Sequence, residues 1–272
     1  VLYLYDVFIM FDREVAYFWT SKPSGASLLY FANEWINIVY FITLFIEQAT
    51  FSSDRVWPRR FSRGAETLLT VVGCSCSMFT QATFALIVLQ FVPPAVFSAL
   101  RAYVLSRSKL LGLFVLALSM SPAAANLVQY GYQLSGENDP PFGCIETDNV
   151  TPAISYKFVF IIVARVPIIV ADIILIYVTW AKLNARDGLS GIRLHRRPTL
   201  QLISVPTGTM YFVVLFILNV LHLAFSVTAF ASDNDGVSLV TEFSSPITAI
   251  LVSRFLLELQ EANQADIRID RD

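Results

Sequence analysis

The feature that most constrains this chain is a series of long apolar stretches, one of which, Thr67 to Leu100, contains no charged residue over 34 positions. A membrane-spanning helix needs roughly 20 consecutive apolar residues to cross about 30 Å of hydrocarbon. Only 15% of the residues are charged, whereas a soluble domain has about 25%. Because peptide groups inside a bilayer must hydrogen-bond within the protein, these stretches predict transmembrane helices.

Seven such segments predict an all-α fold, an integral membrane bundle of seven transmembrane helices. The predicted spans are 2–19, 27–47, 78–104, 109–132, 154–181, 208–231 and 237–260. The third is the least regular, because its charge-free stretch equals about 51 Å of straight helix and is interrupted by Pro93-Pro94. Two spans there would give eight crossings. We expect 1–262 to form a single domain and 263–272 to form a short cytoplasmic tail.

The positions of Lys and Arg predict the orientation, because basic residues in short loops favour the cytoplasm. With the amino end outside, most of the 19 basic residues lie in or beside cytoplasmic segments, including those at 182–197. The four arginines within 55–63 contradict this rule. The pattern predicts a receptor-like topology with the amino end out and the carboxyl end in, in either the plasma membrane or an endomembrane.

The first span carries Asp6 within it and the charged triplet Asp12-Arg13-Glu14 near its end. We interpret the triplet as the point where the helix reaches the cytoplasmic headgroups, with Trp19 as an interfacial anchor. Asp6 remains in the apolar part of the span. Because the chain begins with Val1 instead of Met, we expect the first helix to start before it.

These residues also suggest a relationship. Tyr5-Asp6, the run from Phe11 to Val15 and Trp19 together resemble the opening signature of a fungal membrane family known only as domain of unknown function 6533. Further stretches similar to that family are Tyr30–Trp35, Leu100–Lys109 and Ser245–Ala262. The resemblance is weakest over 52–77, where an intron read as exon would explain both the misfit and the misplaced arginines. It implies seven helices and an origin in mushroom-forming fungi, and it implies no reaction, ligand or functional residue.

Polar residues within the spans are the candidate ligand-binding or polar-lining groups, because ionisable side chains are costly in a bilayer. They are Asp6, Arg165, Asp172, Asn219 and His222. Arg165 and Asp172 are seven residues apart and Asn219 and His222 are three apart, so each pair shares one helix face. Each pair is explained either by a functional contact or by hydrogen bonding that fixes helix packing.

The sequence lacks the patterns of several enzyme classes, so we expect no catalytic activity, no metal and no cofactor. No Gly-rich phosphate loop and no nucleophile elbow is present, and the last span lacks the lysine that a retinal pigment requires. One histidine within a span is too few for an intramembrane metal hydrolase. The net charge of −2 gives no reason to expect a nucleic-acid partner.

The leading functional hypothesis is a receptor-like sensor of a small ligand, with the lipid bilayer and a cytosolic protein at the 182–206 loop as partners. This rests on an analogy of topology. In this reading an outer cavity between the third, fifth and sixth spans binds the ligand. The alternatives are a transporter or channel with intramembrane polar lining and a structural membrane protein without a ligand.

The predicted outside loop after the fourth span contains two modification signals. Asn149-Val150-Thr151 is an N-glycosylation triplet, and Cys144 faces Cys76 at the predicted outer end of the third span. We predict a Cys76–Cys144 disulfide, since both sulfurs would meet an oxidising compartment. A free thiol or a bridge to Cys74 is the alternative.

We therefore expect thiol labelling of the denatured protein to detect one of the three cysteines before reduction and all three afterwards. Counting labels by intact mass makes the comparison direct. The same count with and without reductant would contradict the bridge. A Cys74→Ser variant in which reduction no longer changes the count would assign the disulfide to Cys74 and Cys144.

Overall fold

The computed structural model describes residues 2–19, 24–47, 76–130, 135–139, 143–147, 154–190, 201–231 and 239–269. The helices of this part are α1 (Leu2–Glu14), α2 (Gly25–Glu47), α3 (Cys76–Gln90), α4 (Val92–Ser106), α5 (Lys109–Ser119), α6 (Ser121–Tyr130), α7 (Ile154–Ser190), α8 (Gln201–Ala231) and α9 (Leu239–Ile269). A π-helical turn, Val15–Trp19, continues α1. Strands β1 (Ser135–Asp139) and β2 (Gly143–Thr147) form an antiparallel hairpin.

The helices combine into seven rods, because α3 continues into α4 and α5 continues into α6, and this confirms the all-α fold class. Five stretches in the described part of the chain are long and apolar enough to cross a membrane: Gly25–Ile46, Ser77–Ser106, Lys109–Val128, Val159–Lys182 and Met210–Thr228. These stretches correspond to five of the seven predicted spans, and the predicted spans 2–19 and 237–260 are not among them. The hairpin lies where the sequence predicts an irregular loop, because antiparallel pairing satisfies the backbone groups of that segment.

The break inside the third rod has a local cause. Pro93 and Pro94 have no N–H group to donate to the preceding turn, so α3 ends and α4 restarts around Phe91. The Phe91 N–H bonds to the Val88 carbonyl at 3.3 Å, one residue closer than in an α-helix, which keeps the two segments joined. The prolines therefore interrupt the helix within one apolar stretch, Ser77–Ser106.

A tight turn connects the third and fourth rods. Arg107 has a φ of 55°, in the left-handed region, and its N–H bonds to the Tyr103 carbonyl at 2.7 Å. Ser108 caps α5 by accepting a hydrogen bond from the Leu111 N–H. Gly112 lets α5 approach α4 closely, since a Cβ there would lie 3.1 Å from the Cβ of Tyr103.

From α2 onward, successive rods pack side by side, and α4 lies near the middle. It contacts α2, α5, α7 and α9, while α9 also contacts α1, α2 and α8. The hairpin packs on α3, at the end of the bundle that we call the hairpin end. The opposite end, where α4 meets α5 and where α9 finishes, is the tail end.

The distribution of side chains is the reverse of that in a soluble protein. Large apolar groups cover the outer faces, with Phe8 80% exposed and Leu110 81% exposed. Polar groups such as Asn33, Asn37 and Thr179 are buried between helices. An exposed apolar surface of this extent is stable against lipid but not against water, so the described rods form a membrane protein.

Polar contacts connect α1 to the tail-end half of α9. Asp6 and Arg13, which the sequence places on one helix face, form ion pairs with Arg254 and Glu261, respectively. The Arg254 Nε also donates to an Asp6 carboxylate oxygen at 3.0 Å, and the Tyr17 hydroxyl donates to Glu261 at 2.9 Å. These contacts hold the first and last rods side by side, and we call them the α1–α9 clasp.

Glu261 lies just beyond the predicted seventh span. Partial burial raises the pKa of its carboxyl, but hydrogen bonds from Arg13 and Tyr17 outweigh this effect and hold the pKa below its ordinary value. A carboxyl whose pKa is lowered in the folded state stabilises the fold at pH values above its unfolded-state pKa. That contribution is lost as the pH falls through the lowered value.

Asp6 should carry more of the clasp's stability than Glu261, because its side chain is 10% exposed and that of Glu261 is 41% exposed. We expect Asp6→Asn to lower the free energy of unfolding by about 1–3 kcal/mol, since it removes the carboxylate that pairs with the Arg254 guanidinium. Glu261→Gln should cost about 0.2–1 kcal/mol. Unfolding in lipid bicelles measures both values.

Asp12→Asn is the matched control, because Asp12 lies on the same helix with an exposed side chain. It should change the free energy of unfolding by no more than about 0.5 kcal/mol. A loss for Asp12→Asn as large as that for Asp6→Asn would show that net charge, and not the clasp, sets the stability.

Candidate functional site

A cavity of about 250 Å³ lies in the middle of the bundle and is lined by α2, α3, α4, α5, α7, α8 and α9. Its size is just below the roughly 300–1,000 Å³ of common small-molecule pockets. The helices bring apolar groups such as Phe91, Ile168 and Leu215 together with amides, hydroxyls and two charged side chains. Such a mixture of apolar wall and convergent polar groups is typical of a binding site. We call it the central cavity.

The two charged groups that line the central cavity are Arg165 and Asp172, both on α7. Asp172 is 4% exposed, and one of its carboxylate oxygens accepts a hydrogen bond from the Asn219 amide of α8 at 2.7 Å. The structure thus brings three of the predicted polar residues to one wall of the cavity. Their shared helix faces turn toward the bundle interior, as the spacing predicts.

A chain of amides and hydroxyls forms the opposite wall. The Asn37 amide donates to the Asn33 carbonyl at 2.7 Å, and the Gln90 amide donates to the Asn37 side chain at 3.1 Å. The Ser245 hydroxyl donates to Gln90 at 3.2 Å, and Asn33 donates to the Ala249 carbonyl at 3.0 Å. These bonds connect α2, α3 and α9, so the wall is held in place before any ligand binds.

The tail-end side of the cavity is filled by aromatic side chains. Phe97 of α4 stacks on Phe212 of α8 with 5.7 Å between ring centroids and meets Phe255 of α9 edge-on at 5.1 Å. The guanidinium carbon of Arg101 lies 4.4 Å from the Phe212 centroid and 4.9 Å from the Phe255 centroid. Each is a cation–π distance. We call these four side chains the Arg101–Phe layer.

The two other predicted polar residues lie outside this lining. His222 is buried on α8, close enough to Arg165 for their charges to interact. Asp6 lies in a separate cavity of about 10 Å³, roughly the space of one water molecule, beside Tyr3, Glu34 and Arg254. Asp6 therefore belongs to the α1–α9 clasp and not to the central cavity.

Sequence reasoning missed two buried features. Glu14, interpreted above as a group near the headgroups, is buried, accepts a hydrogen bond from the Trp19 indole at 2.9 Å and contacts the buried carboxyl of Glu34. The π-helical turn brings Glu14 and Trp19, five residues apart, onto one face. Arg101 lies over two aromatic rings within the bundle. From the sequence, its position at the predicted inner end of the third span suggests a positive-inside anchor or, as the alternative, the Asp-Arg-Tyr element of G-protein-coupled receptors, with Leu100 in place of the acidic residue.

Other predicted features fall wholly or partly beyond the described residues. Cys76 begins α3 and Cys144 lies on β2, and these two elements pack together. The side chains of both cysteines and all of Asn149 lie outside the described part. So does 191–200, the centre of the predicted 182–206 partner loop.

The arrangement supports binding through hydrogen bonds and charge. Within the part of the chain that the structure describes, no group of three or more His, Cys, Asp or Glu side chains is placed to hold a metal ion. The central cavity offers one cationic fork at Arg165, one carboxyl at Asp172 and an amide-rich wall. These groups can fix the orientation of a small polar molecule.

The Asp172–Asn219 hydrogen bond should stabilise the contact between α7 and α8. We expect Asn219→Ala to lower the free energy of unfolding in bicelles by about 0.6–2 kcal/mol, the range of inter-helix hydrogen bonds in membranes. Asp172→Asn keeps an oxygen that accepts the Asn219 amide, so it should cost less. Ile217→Ala, at a 47% exposed position of α8, is the control. An Asp172→Asn loss above that of Asn219→Ala would contradict this role.

Comparisons with known proteins add one relationship. No curated protein matches the chain, and no solved structure matches it. Residues 1–39 match the family described as "Family of unknown function (DUF6533)". The match covers α1, the π-helical turn and most of α2, which contain Asp6, Arg13, Glu14 and Asn33. The resemblance drawn from the sequence is confirmed there, and the amino-terminal helices carry the signature of the family of unknown function DUF6533.

Proposed function

We propose that the protein is a receptor-like sensor that binds a small ligand in the central cavity. The observation that carries this proposal is the cavity itself, enclosed by seven helices and lined on facing walls by polar groups already held in place by hydrogen bonds. A purely structural membrane protein would gain from filling such a space, because every void removes packing contacts. A retained polar cavity therefore favours a ligand.

The helices that line the cavity also carry the Arg101–Phe layer, which gives a route for a signal. On α4, Ser98 lines the cavity and Arg101 lies one turn further toward the tail end. On α8, Leu215 lines the cavity and Phe212 lies one turn closer to the tail end. On α9, Ala249 lines the cavity and Phe255 lies under two turns closer to the tail end. A ligand that shifts any one of these helices therefore changes the packing of the layer.

The tail end also offers a contact for a cytosolic partner. Helix α7 continues to Ser190 and includes Arg186 and Asp187. Charged residues are typical of a helix end that lies outside the hydrocarbon region. In the proposed orientation, with the amino end out, this end of α7 and the 182–206 loop face the cytosol.

A transporter or channel is the second candidate, because Arg165 and Asp172 line a cavity at mid-bundle, where transporters bind substrates. The aromatic side chains of the Arg101–Phe layer favour the sensor over this alternative. They pack against one another on the tail-end side of the cavity, where a transported molecule would have to pass between them.

The test uses an environment-sensitive fluorophore at Val104→Cys, near the tail end of α4, in a background with the three native cysteines replaced. Fragments that raise the melting temperature in nanodiscs should shift its emission. The same fluorophore at Phe8→Cys, on the clasped α1, should respond weakly, because the ligand moves α4 and α8 whereas the clasp holds α1 against α9.

Ala95→Leu narrows the central cavity by three carbons and should weaken the response at least about 10-fold, since a fragment that fits the native wall would clash with the larger side chain. Ala85→Leu, at an exposed position of α3, is the matched control. Accumulation of a radiolabelled fragment inside sealed proteoliposomes would favour the transporter and reject the sensor.

A further inference from the structure

We infer that the ligand of the central cavity is a small organic acid whose single carboxylate binds the Arg165 guanidinium. The inference rests on the proposed function and narrows it to one chemical class. It depends on three observations, which are the charge state of the cavity wall, the spacing of its polar groups and the apolar surface between them.

Arg165 differs from the other described arginines of the bundle interior in its surroundings. Arg13 and Arg254 have carboxylate partners, and Arg101 lies over two aromatic rings. Among the described residues, Arg165 belongs to neither ion pair, and it lines the cavity. A cation at this depth of a membrane needs a counter-charge or water, and the cavity provides the space in which an anion could supply it.

Asp172 does not neutralise Arg165. The two residues are seven positions apart on α7, about 10.5 Å along the helix axis, and the Asp172 carboxyl bonds to Asn219. The wall therefore presents a cationic fork near the hairpin end and a hydrogen-bonding carboxyl–amide pair deeper in the bundle. Ile168 and Leu215 line the surface between them.

The chemistry and spacing of these groups indicate which class of ligand the central cavity binds. The planar guanidinium matches a carboxylate with two parallel hydrogen bonds, and an apolar body would pack on Ile168 and Leu215. A hydroxyl or amine at the far end could bond to Asp172 and Asn219. Polyanions such as phosphate esters fit less well, because Arg165 is the one cation of the described lining and a second negative charge would have no cationic partner there.

The experiment measures melting temperatures of the full chain in nanodiscs against four acids and their primary amides. The acids are benzoate, phenylacetate, 4-hydroxyphenylacetate and hexanoate. Each amide matches its acid in size and lacks only the charge. At least one acid should bind about 10-fold or more tightly than its amide, because a hydrogen bond to a charged group contributes more than a neutral one.

Three variants test whether Arg165 causes the preference for the acid over its amide. Arg165→Gln should abolish the preference for the acid, and Arg165→Lys, which keeps the charge but not the fork, should retain part of it. Lys182→Gln removes the same charge from an exposed position of the same helix and should leave the preference unchanged. If Arg165→Gln does not fold, a reduced preference in Arg165→Lys carries the same conclusion.

Every result decides the inference. Equal binding of acids and amides, or no binding of either, overturns it, and so does a preference that persists in Arg165→Gln. The fluorophore at position 104 separates this outcome from failure of the sensor. Amides that shift its emission without any preference for acids would leave the sensor intact. Acids that bind at Arg165 without any shift would reject the sensor and keep the site.

Discussion

The structure depends on polar contacts between helices, because apolar contacts alone distinguish few arrangements inside a bilayer. Lipid tails are as apolar as leucine, so two helices gain little hydrophobic free energy by meeting each other. What does select neighbours is the cost of leaving a polar group unpaired in hydrocarbon. Asp6 with Arg254, Asn33 with the Ala249 carbonyl and Asp172 with Asn219 each join a different pair of helices. Together they set which rod lies beside which.

The same requirement explains the central cavity. Asn37, Gln90 and Ser245 face one another across α2, α3 and α9, and their amides and hydroxyls leave room that apolar side chains would fill. Toward the tail end the interior changes to closely packed rings, with Phe97 at the centre. A polar half thus lies on an aromatic half, which is the arrangement on which the proposed sensor depends.

Much of this fold could be predicted from the sequence, and the limit has a physical origin. The length of apolar stretches indicates where helices lie, and spacing indicates which residues share a face, so Arg165 and Asp172 can be placed on one face of α7 from the sequence alone. Periodicity does not say which helix faces which. The partner of Asp6 is Arg254, 248 positions away, and nothing local to either residue indicates that pairing. Arg101 shows the same limit, since its two rings come from α8 and α9.

These long-range pairings include residues of the matched segment 1–39. Three of its residues contact α9 between Ala249 and Glu261: Asp6, Arg13 and Asn33. The family signature therefore forms one side of a helix interface, and the other side lies near the opposite end of the chain. Helix α9 is thereby held against α1 and α2 by charge and amide contacts. It also supplies Ala249 to the cavity and Phe255 to the Arg101–Phe layer. In a sensor built this way, the clasped helices act as a fixed frame, and a ligand between α7 and α8 would do its work by moving those helices against it.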